Sequence, residues 1–242
     1  MDLRLVSYNL HKCRGMTGPH APERNLHVIN KLDADIVALQ EVDFRLGPRH
    51  QALPRELIAE ATGLVPVSFR GTSEHSLGWH GQTLLMRPDL ADQAVLRRLP
   101  LPGIEPRGAI AALLPGLTVV SLHLGLVRAS RRAQLARVAA QVARLGGAGE
   151  VVLTGDFNEW HEDRGLEALS GFRIIAPGPS WPALQPTLRY DRFALSAGLK
   201  VAGSGVEAGE LARRASDHLP VWLDLHLPPL LLPPHGLLRL PR

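Results

Sequence analysis

The chain of 242 residues carries 27 Lys and Arg against 23 Asp and Glu, a formal charge of +4, and is 45% hydrophobic, which supplies a real core and excludes a largely disordered chain. Cys13 is the only cysteine, so an intrachain disulfide is excluded. Neither a basic start with a long apolar core nor a membrane-length run is seen, and a soluble cytoplasmic protein is expected. Lysine occurs only at positions 12, 31 and 200, leaving arginine to supply nearly all positive charge. Biased base composition explains that preference, and the basic balance permits an anionic substrate without requiring one.

Short apolar or alternating runs bounded by Gly, Pro or polar residues predict strands, and a 3.6-residue apolar period predicts helices. In chain order these are a strand over 3–7, a helix over 22–32 with Pro22 in its first turn, and strands over 36–39, 83–86, 109–113 and 118–122. A longer helix follows over 130–145. Leu135, Val138, Ala139, Val142 and Leu145 share one of its faces, and Arg131, Arg132, Arg137 and Arg144 are expected on a solvated one. Strands are then predicted over 151–154, 189–195 and 219–225. Between them "APGPSWPALQP" reads as a rigid, exposed loop around Trp181. No repeat or linker interrupts residues 1–226, which form one predicted catalytic domain. The Pro/Leu-rich tail over 227–242 cannot be a regular helix or a central strand.

Several of these strands end alike. "LVSYN" ends on Asn9, "DIVALQE" on Glu41, "VVSLH" on His123 and "VVLTGDFN" on Asp156 and Asn158, while "SDHLPVWLDL" starts from Asp217 and His218. One polar residue at a strand end is ordinary turn chemistry, but five strands ending so are expected to converge on one rim. Carboxylate and amide oxygens suit Mg²⁺ or Mn²⁺, and a histidine beside a carboxylate suits proton transfer. Metal-assisted phosphoester hydrolysis uses both.

The ordered motifs "SYN", "LQEVD", "PRGA", "LHLG", "GDFN", "YDRF" and "SDHLP" resemble the endonuclease/exonuclease/phosphatase superfamily over residues 3 to about 226, and its small bacterial hydrolases most of all. That resemblance implies an α+β, four-layer, DNase I-like β-sandwich of two mixed sheets flanked by helices. It implies Glu41 as principal metal ligand with Asn9 beside it and Asp217 as a further metal contact. Asp156 would position or deprotonate the attacking water, and Asn158 would contact the scissile phosphate. Arg107 would bind phosphate, and His123 would contact phosphate or serve the leaving group. His218 would face the phosphate, oriented by Asp191 as one unit. Each of three positions also has a plain structural reading: Asn9 as a turn cap, Arg107 in a surface ion pair, His123 as a core histidine.

Two departures from the pattern stand out. His11 occupies a position that is acidic in several nucleases, which argues for one divalent ion and places His11 toward the substrate. Gln82 replaces a frequent Asn, leaving local substrate contacts open. His11, His20, His75 and His80 lack the compact spacing of a zinc site. Little room lies between Glu41 and Arg107 for a duplex-reading insertion, and no lysine-rich patch or aromatic ladder is present. The expected substrate is therefore a small phosphodiester, a phospholipid headgroup or a sugar or inositol phosphate. A Mg²⁺-dependent nuclease acting on DNA or RNA is the alternative, and a catalytically inactive binding module the third reading. The expected protein is a monomer, with peripheral membrane contact through the Trp181 loop or the tail weighed against a packing role for each.

Overall fold

The computed structural model describes residues 2–67, 71–145, 149–161 and 164–227. Its strands are β1 (Asp2–Asn9), β2 (Ile36–Gln40), β3 (Val65–Pro66), β4 (Gln82–Met86), β5 (Val95–Pro100), β6 (Gly108–Leu114), β7 (Leu117–His123), β8 (Glu150–Asp156), β9 (Arg173–Ile175), β10 (Asp191–Leu195), β11 (Lys200–Val206) and β12 (Val221–His226). The helices are α1 (Pro22–Lys31), α2 (Arg55–Thr62), α3 (Pro88–Ala91), α4 (Arg128–Val142) and α5 (Glu210–Ala215). One six-stranded sheet has the order β11-β12-β1-β2-β4-β3 and the other β5-β6-β7-β8-β10-β9. Each sheet is mixed, with β1–β2 and β7–β8 parallel and the other pairs antiparallel. This is the expected α+β sandwich.

Period-two alternation sorts each central strand between two apolar layers. Leu3, Leu5, Ile36, Ala38, Leu84, Val119, Val152, Phe193 and Leu223 fill the space between the sheets. Their strand neighbours Val6, Tyr8, Val37, Leu39 and Leu85 face outward to α1, α2 and α5, while Val120, Leu122, Leu153 and Ala194 pack on the α4 side. Continuing the inward register along the same strands changes its chemistry. The next inward positions are Ser7 and Asn9 on β1, Gln40 on β2, Gln82 on β4, Ser121 and His123 on β7, Thr154 and Asp156 on β8, and Asp191 on β10, all buried. The inter-sheet layer is therefore apolar along most of its length and polar at one end. Burial is tolerated there because these groups bond one another, as in Gln40 with Ser7 and Ser121 with Gln82.

The four strands not anticipated, β3, β5, β9 and β11, are the outermost strands of the two sheets. "VLRRLP" and "KVAGSGV" carry exposed arginines or glycines because only one flank of an edge strand is paired and packed. The helix expected from residue 130 begins at Arg128. Its Arg131 is not on a solvated face: it is buried, donating to Glu159 and to the carbonyls of Gly125 and Leu126. The Trp181 loop is not simply exposed either. Trp181 is half-buried against Tyr190, Ser180 and Ala183 are buried, and Leu184 is the apolar residue left in the open. The expected tail, apart from Leu227, lies outside the described residues. Among the described residues no helix is long and apolar enough to cross a membrane.

Candidate active site

Strand register builds one half of the site. In the parallel pair β7–β8 His123 lies opposite Asp156, and in the antiparallel pair β8–β10 Asp156 lies opposite Asp191. Three neighbouring strands thus set His123, Asp156 and Asp191 in one inward-facing row. Gly155 permits it: its φ is +145°, and a Cβ there would meet the Leu122 carbonyl oxygen at 1.8 Å. Directly after the strand, Asn158 turns the chain in the left-handed region with φ 51°. Its backbone N–H donates to Asp156 Oδ1 at 2.9 Å and its Nδ2 to the Leu124 carbonyl at 2.9 Å. The "GDFN" stretch is at once a turn and part of the buried polar row.

His218 completes this half. Its Nδ1 donates to Asp191 Oδ2 at 2.8 Å, and the same oxygen accepts from Ser180 Oγ at 2.6 Å. Its Nε2 lies 3.7 Å from Asp156 Oδ2, and His123 Nε2 lies 3.4 Å from that atom. Asp156 is therefore flanked by two imidazoles, and their charge states are opposite. Burial opposes a charged His218, but Asp191 and Asp156 prevail and raise it to about 10. Burial and the Arg107 guanidinium push His123 well below its ordinary value, so it is neutral. Because Arg107 donates to His123 Nδ1 at 2.7 Å, the neutral ring carries its proton on Nε2, facing Asp156. Burial, opposed by His218 and reinforced by Asp191, raises the Asp156 carboxyl to about 7.

The other half stands at the ends of β1 and β2. Asn9 Nδ2 donates to Asp156 Oδ2 at 3.1 Å, tying the two sheets together, while its Oδ1 accepts from the His11 backbone N–H at 3.0 Å. Asn9 caps a turn and joins the site together. After it, His11, Lys12 and Cys13 all have positive φ, as does Glu41 where β2 ends. Left-handed backbone at non-glycine residues costs roughly 1–3 kcal/mol each and persists where the surroundings enforce it. Here it folds Lys12 back on Glu41: the Lys12 backbone N–H donates to the Glu41 carbonyl and its ammonium bonds the Glu41 carboxylate. Against the cost of burial, Lys12, Arg45 and His11 hold Glu41 below the ordinary carboxylate range. Asp217 is partly exposed, with Oδ1 3.8 Å from His11 Nδ1, and the adjoining Ser216 hydroxyl donates to the Asn9 carbonyl at 2.6 Å.

A cavity of about 320 Å³ opens over this half, lined among others by Lys12, Glu41, Arg45, Arg49, Arg107 and His123. Arg107 is buried rather than a surface residue, and it donates to His123 and to Glu105 Oε1, the latter at 2.7 Å. Its Nε has no hydrogen-bond partner among the described residues. Gln82 is fully buried. It bridges the sheets by donating to the Gly108 carbonyl and accepting from Ser121. Gly108 in turn is needed because a Cβ there would run into the Trp79 ring at 2.3 Å.

Two places offer ligands to a cation. Asp156, Asp191 and His218 present atoms within 4.8 Å of one another, the one such group of His, Cys, Asp or Glu among the described residues. Their lone pairs are largely committed, however, since Asp191 Oδ2 serves Ser180 and His218 while Asp156 takes Asn9 and Asn158. Only Asp191 Oδ1 is left over, too little for a hard cation that takes about six oxygens. Glu41, Asn9 and Asp217 are all oxygen donors of the kind Mg²⁺ or Mn²⁺ prefers, and Glu41 already holds a cation in the Lys12 ammonium. Their chemistry fits the metal better. His20, His75 and His80 are dispersed, on the Ala52 carbonyl, the His50 ring and the Trp79 ring. Lys12 and Ser180 are the site residues that motif reading overlooks. For Lys12 a signal existed, a lone lysine beside the "YN" motif in an arginine-rich chain.

Relatives share this architecture. The chain is 28% identical over 253 residues to an uncharacterised protein, YbhP, of Escherichia coli K12, covering 93% of this chain and 97% of the relative. Among solved structures, a mannosyl-6-phosphatase of Bacteroides thetaiotaomicron superposes with a TM-score of 0.69 at 19% identity, covering 93% of this chain and all of that one. The D. rerio TDP2 structure with a single-strand DNA product gives a TM-score of 0.69 at 17% identity, covering 93% of this chain and 99% of the other. At such identities these two likenesses establish the fold. Residues 6–218 match the profile of the Endonuclease/Exonuclease/phosphatase family, and the chain belongs to that family.

Proposed function

We propose that the protein is a divalent-metal-dependent phosphoesterase that hydrolyses a small phosphodiester or phosphomonoester by in-line attack of an activated water. The observation that carries this reading is the Asp156 carboxylate held between a charged His218 and a neutral His123. Burial, reinforced by Asp191 and only partly offset by His218, gives this one carboxylate the proton affinity of a base working near neutral pH.

Each residue has a part. Asp156 accepts a proton from the attacking water, with Asn158 N–H and Asn9 Nδ2 fixing its two oxygens. His218, charged and oriented by Asp191, counters the negative charge that grows on the phosphoryl oxygens. Arg107 adds a second fixed positive charge, and the Nε2–H of His123 donates toward the phosphate or the leaving oxygen. Glu41, Asn9 and Asp217 would hold Mg²⁺ or Mn²⁺, which as a Lewis acid withdraws charge from a phosphoryl oxygen. His11, beside Asp217, faces the substrate.

The cavity's size and its mixture of arginines with acidic residues support a small polar group, such as a phospholipid headgroup or a sugar or inositol phosphate, over a tracked nucleic-acid strand. The test is hydrolysis of bis(p-nitrophenyl) phosphate with and without Mg²⁺, then a panel of DNA, RNA, glycerophosphodiesters, phospholipids and inositol phosphates. Metal-dependent turnover with a small ester preferred is expected. Highest kcat/KM on DNA or RNA would move the reading to a nuclease, and no hydrolysis of any ester would move it to a binding module.

A further inference from the structure

Around the mouth, the large apolar side chains that are more than half exposed among the described residues are Leu46, Ile104, Leu126, Val127, Trp160 and Leu184. Leu46 follows Glu41 in the chain, Ile104 precedes Arg107, Leu126 and Val127 follow His123, and Trp160 follows Asn158. Leu184 adjoins Ala183, whose N–H donates to the Asp217 carbonyl. Cross-links join these tips into a rim. Arg45 bonds Glu105 beside Ile104, Gln134 accepts from Gly125 and donates to the Pro102 carbonyl, and Arg128 bonds Glu159 and lies over the Trp160 ring.

We propose that this rim docks on an anionic phospholipid surface, and that the substrate is a phosphoester presented at that surface. The proposal rests on the phosphoesterase reading above and deepens it by naming where the ester is carried. Exposed aliphatic side chains on separate loop tips have no internal partner, and a bilayer interface accepts such tips individually. The charge between them is complementary to anionic lipid. Arg45 is more exposed than its partner Glu105, and Arg128 far more than its partner Glu159, so these pairs show mainly guanidinium to solvent. Arg14 is exposed beside Met16, and Arg49 adds a further guanidinium to the cavity lining. A single nucleic-acid strand is a poorer occupant, because Leu, Ile and Val offer bases nothing to stack on. A protein seated on the rim would cover the mouth, whereas a bilayer delivers a headgroup into it.

The test is co-sedimentation of the full chain with phosphatidylcholine vesicles, with and without phosphatidylglycerol, for the wild type and for Ile104→Asp/Leu126→Asp. The wild type should partition onto the phosphatidylglycerol vesicles, and the double variant about tenfold more weakly, with bis(p-nitrophenyl) phosphate hydrolysis in Mg²⁺ unchanged. No partitioning of the wild type, or partitioning indifferent to the double substitution, overturns the proposal. So does tip-dependent binding to single-stranded DNA in place of vesicles. Vesicle binding without any phosphodiester hydrolysis leaves the docking surface standing and removes the phosphoesterase reading instead.

Discussion

The half of the site carried by β7, β8 and β10 is buried and bonded within itself, whereas the half carried by β1 and β2 opens on the cavity and balances Glu41 with Lys12. The difference follows from how each is positioned. His123, Asp156 and Asp191 are fixed by strand register, so their spacing is set before any ligand arrives. Glu41 and Lys12 stand just beyond a strand, on left-handed turns, where a charge can be exchanged for another. In the proposed function the first half serves proton transfer and the second holds a cation.

Substituting the central carboxylate of each half breaks the comparison most severely. Asp156→Asn should lower kcat by about 10²- to 10⁴-fold, the usual worth of a positioned base, and leave Mg²⁺ affinity unchanged. Glu41→Gln should cost as much turnover but also weaken Mg²⁺ binding, read by calorimetry. Equal metal affinities in the two variants would dissolve the division of labour. Stability against pH separates them further. Because the fold raises the Asp156 carboxyl, its contribution is fully present below the unfolded value near 4 and is lost as pH rises through about 7. Thermal melts of Asp156→Asn should be flatter than wild type across that window, and those of Glu41→Gln should not.

A smaller effect tests whether the buried half acts as a unit. Asp191→Asn keeps the size and loses the charge that holds His218 protonated, so the alkaline limb near pH 10 should shift to lower pH. A fall in kcat of about 10²-fold with little change in KM is expected, in keeping with loss of charge stabilisation in the transition state. With His218→Ala already present, Asp191→Asn should add little, and fully additive losses in log kcat/KM would show independent roles.

The smallest effect sharpens the open half. Lys12→Met removes the resident ammonium from Glu41, and Mg²⁺ should bind at least about fivefold tighter, what one unit charge at about 4 Å is worth when screened as in water, about 1 kcal/mol. Titration with Mn²⁺ followed by calorimetry measures it. An affinity no tighter than wild type would show that Lys12 and the metal do not compete.

Much of this was legible before the fold. The central strands announce themselves because both flanks are paired and both faces buried, which demands apolar runs such as "VVLT" and "IVAL". Arg131 shows the limit of such reading. Helical periodicity placed it on the solvated side, yet Glu159, 28 residues away, arrives to pair with it. Nor does a motif show that Lys12 lies on Glu41, since that contact needs two separate turns to adopt left-handed backbone together.

The sequence by itself determined the polar residues, their order and, through period two, that Asn9, His123, Asp156 and Asp191 share the inward register of their strands with apolar core residues. Only the tertiary structure decided which strands became neighbours and which stood at the edges. It thereby fixed which nitrogen of His123 carries the proton, which histidine is charged, and which cation rests on Glu41. The physical reason is range: alternation and turn chemistry act between residues close in the chain, whereas desolvation and charge depend on groups that only packing brings together.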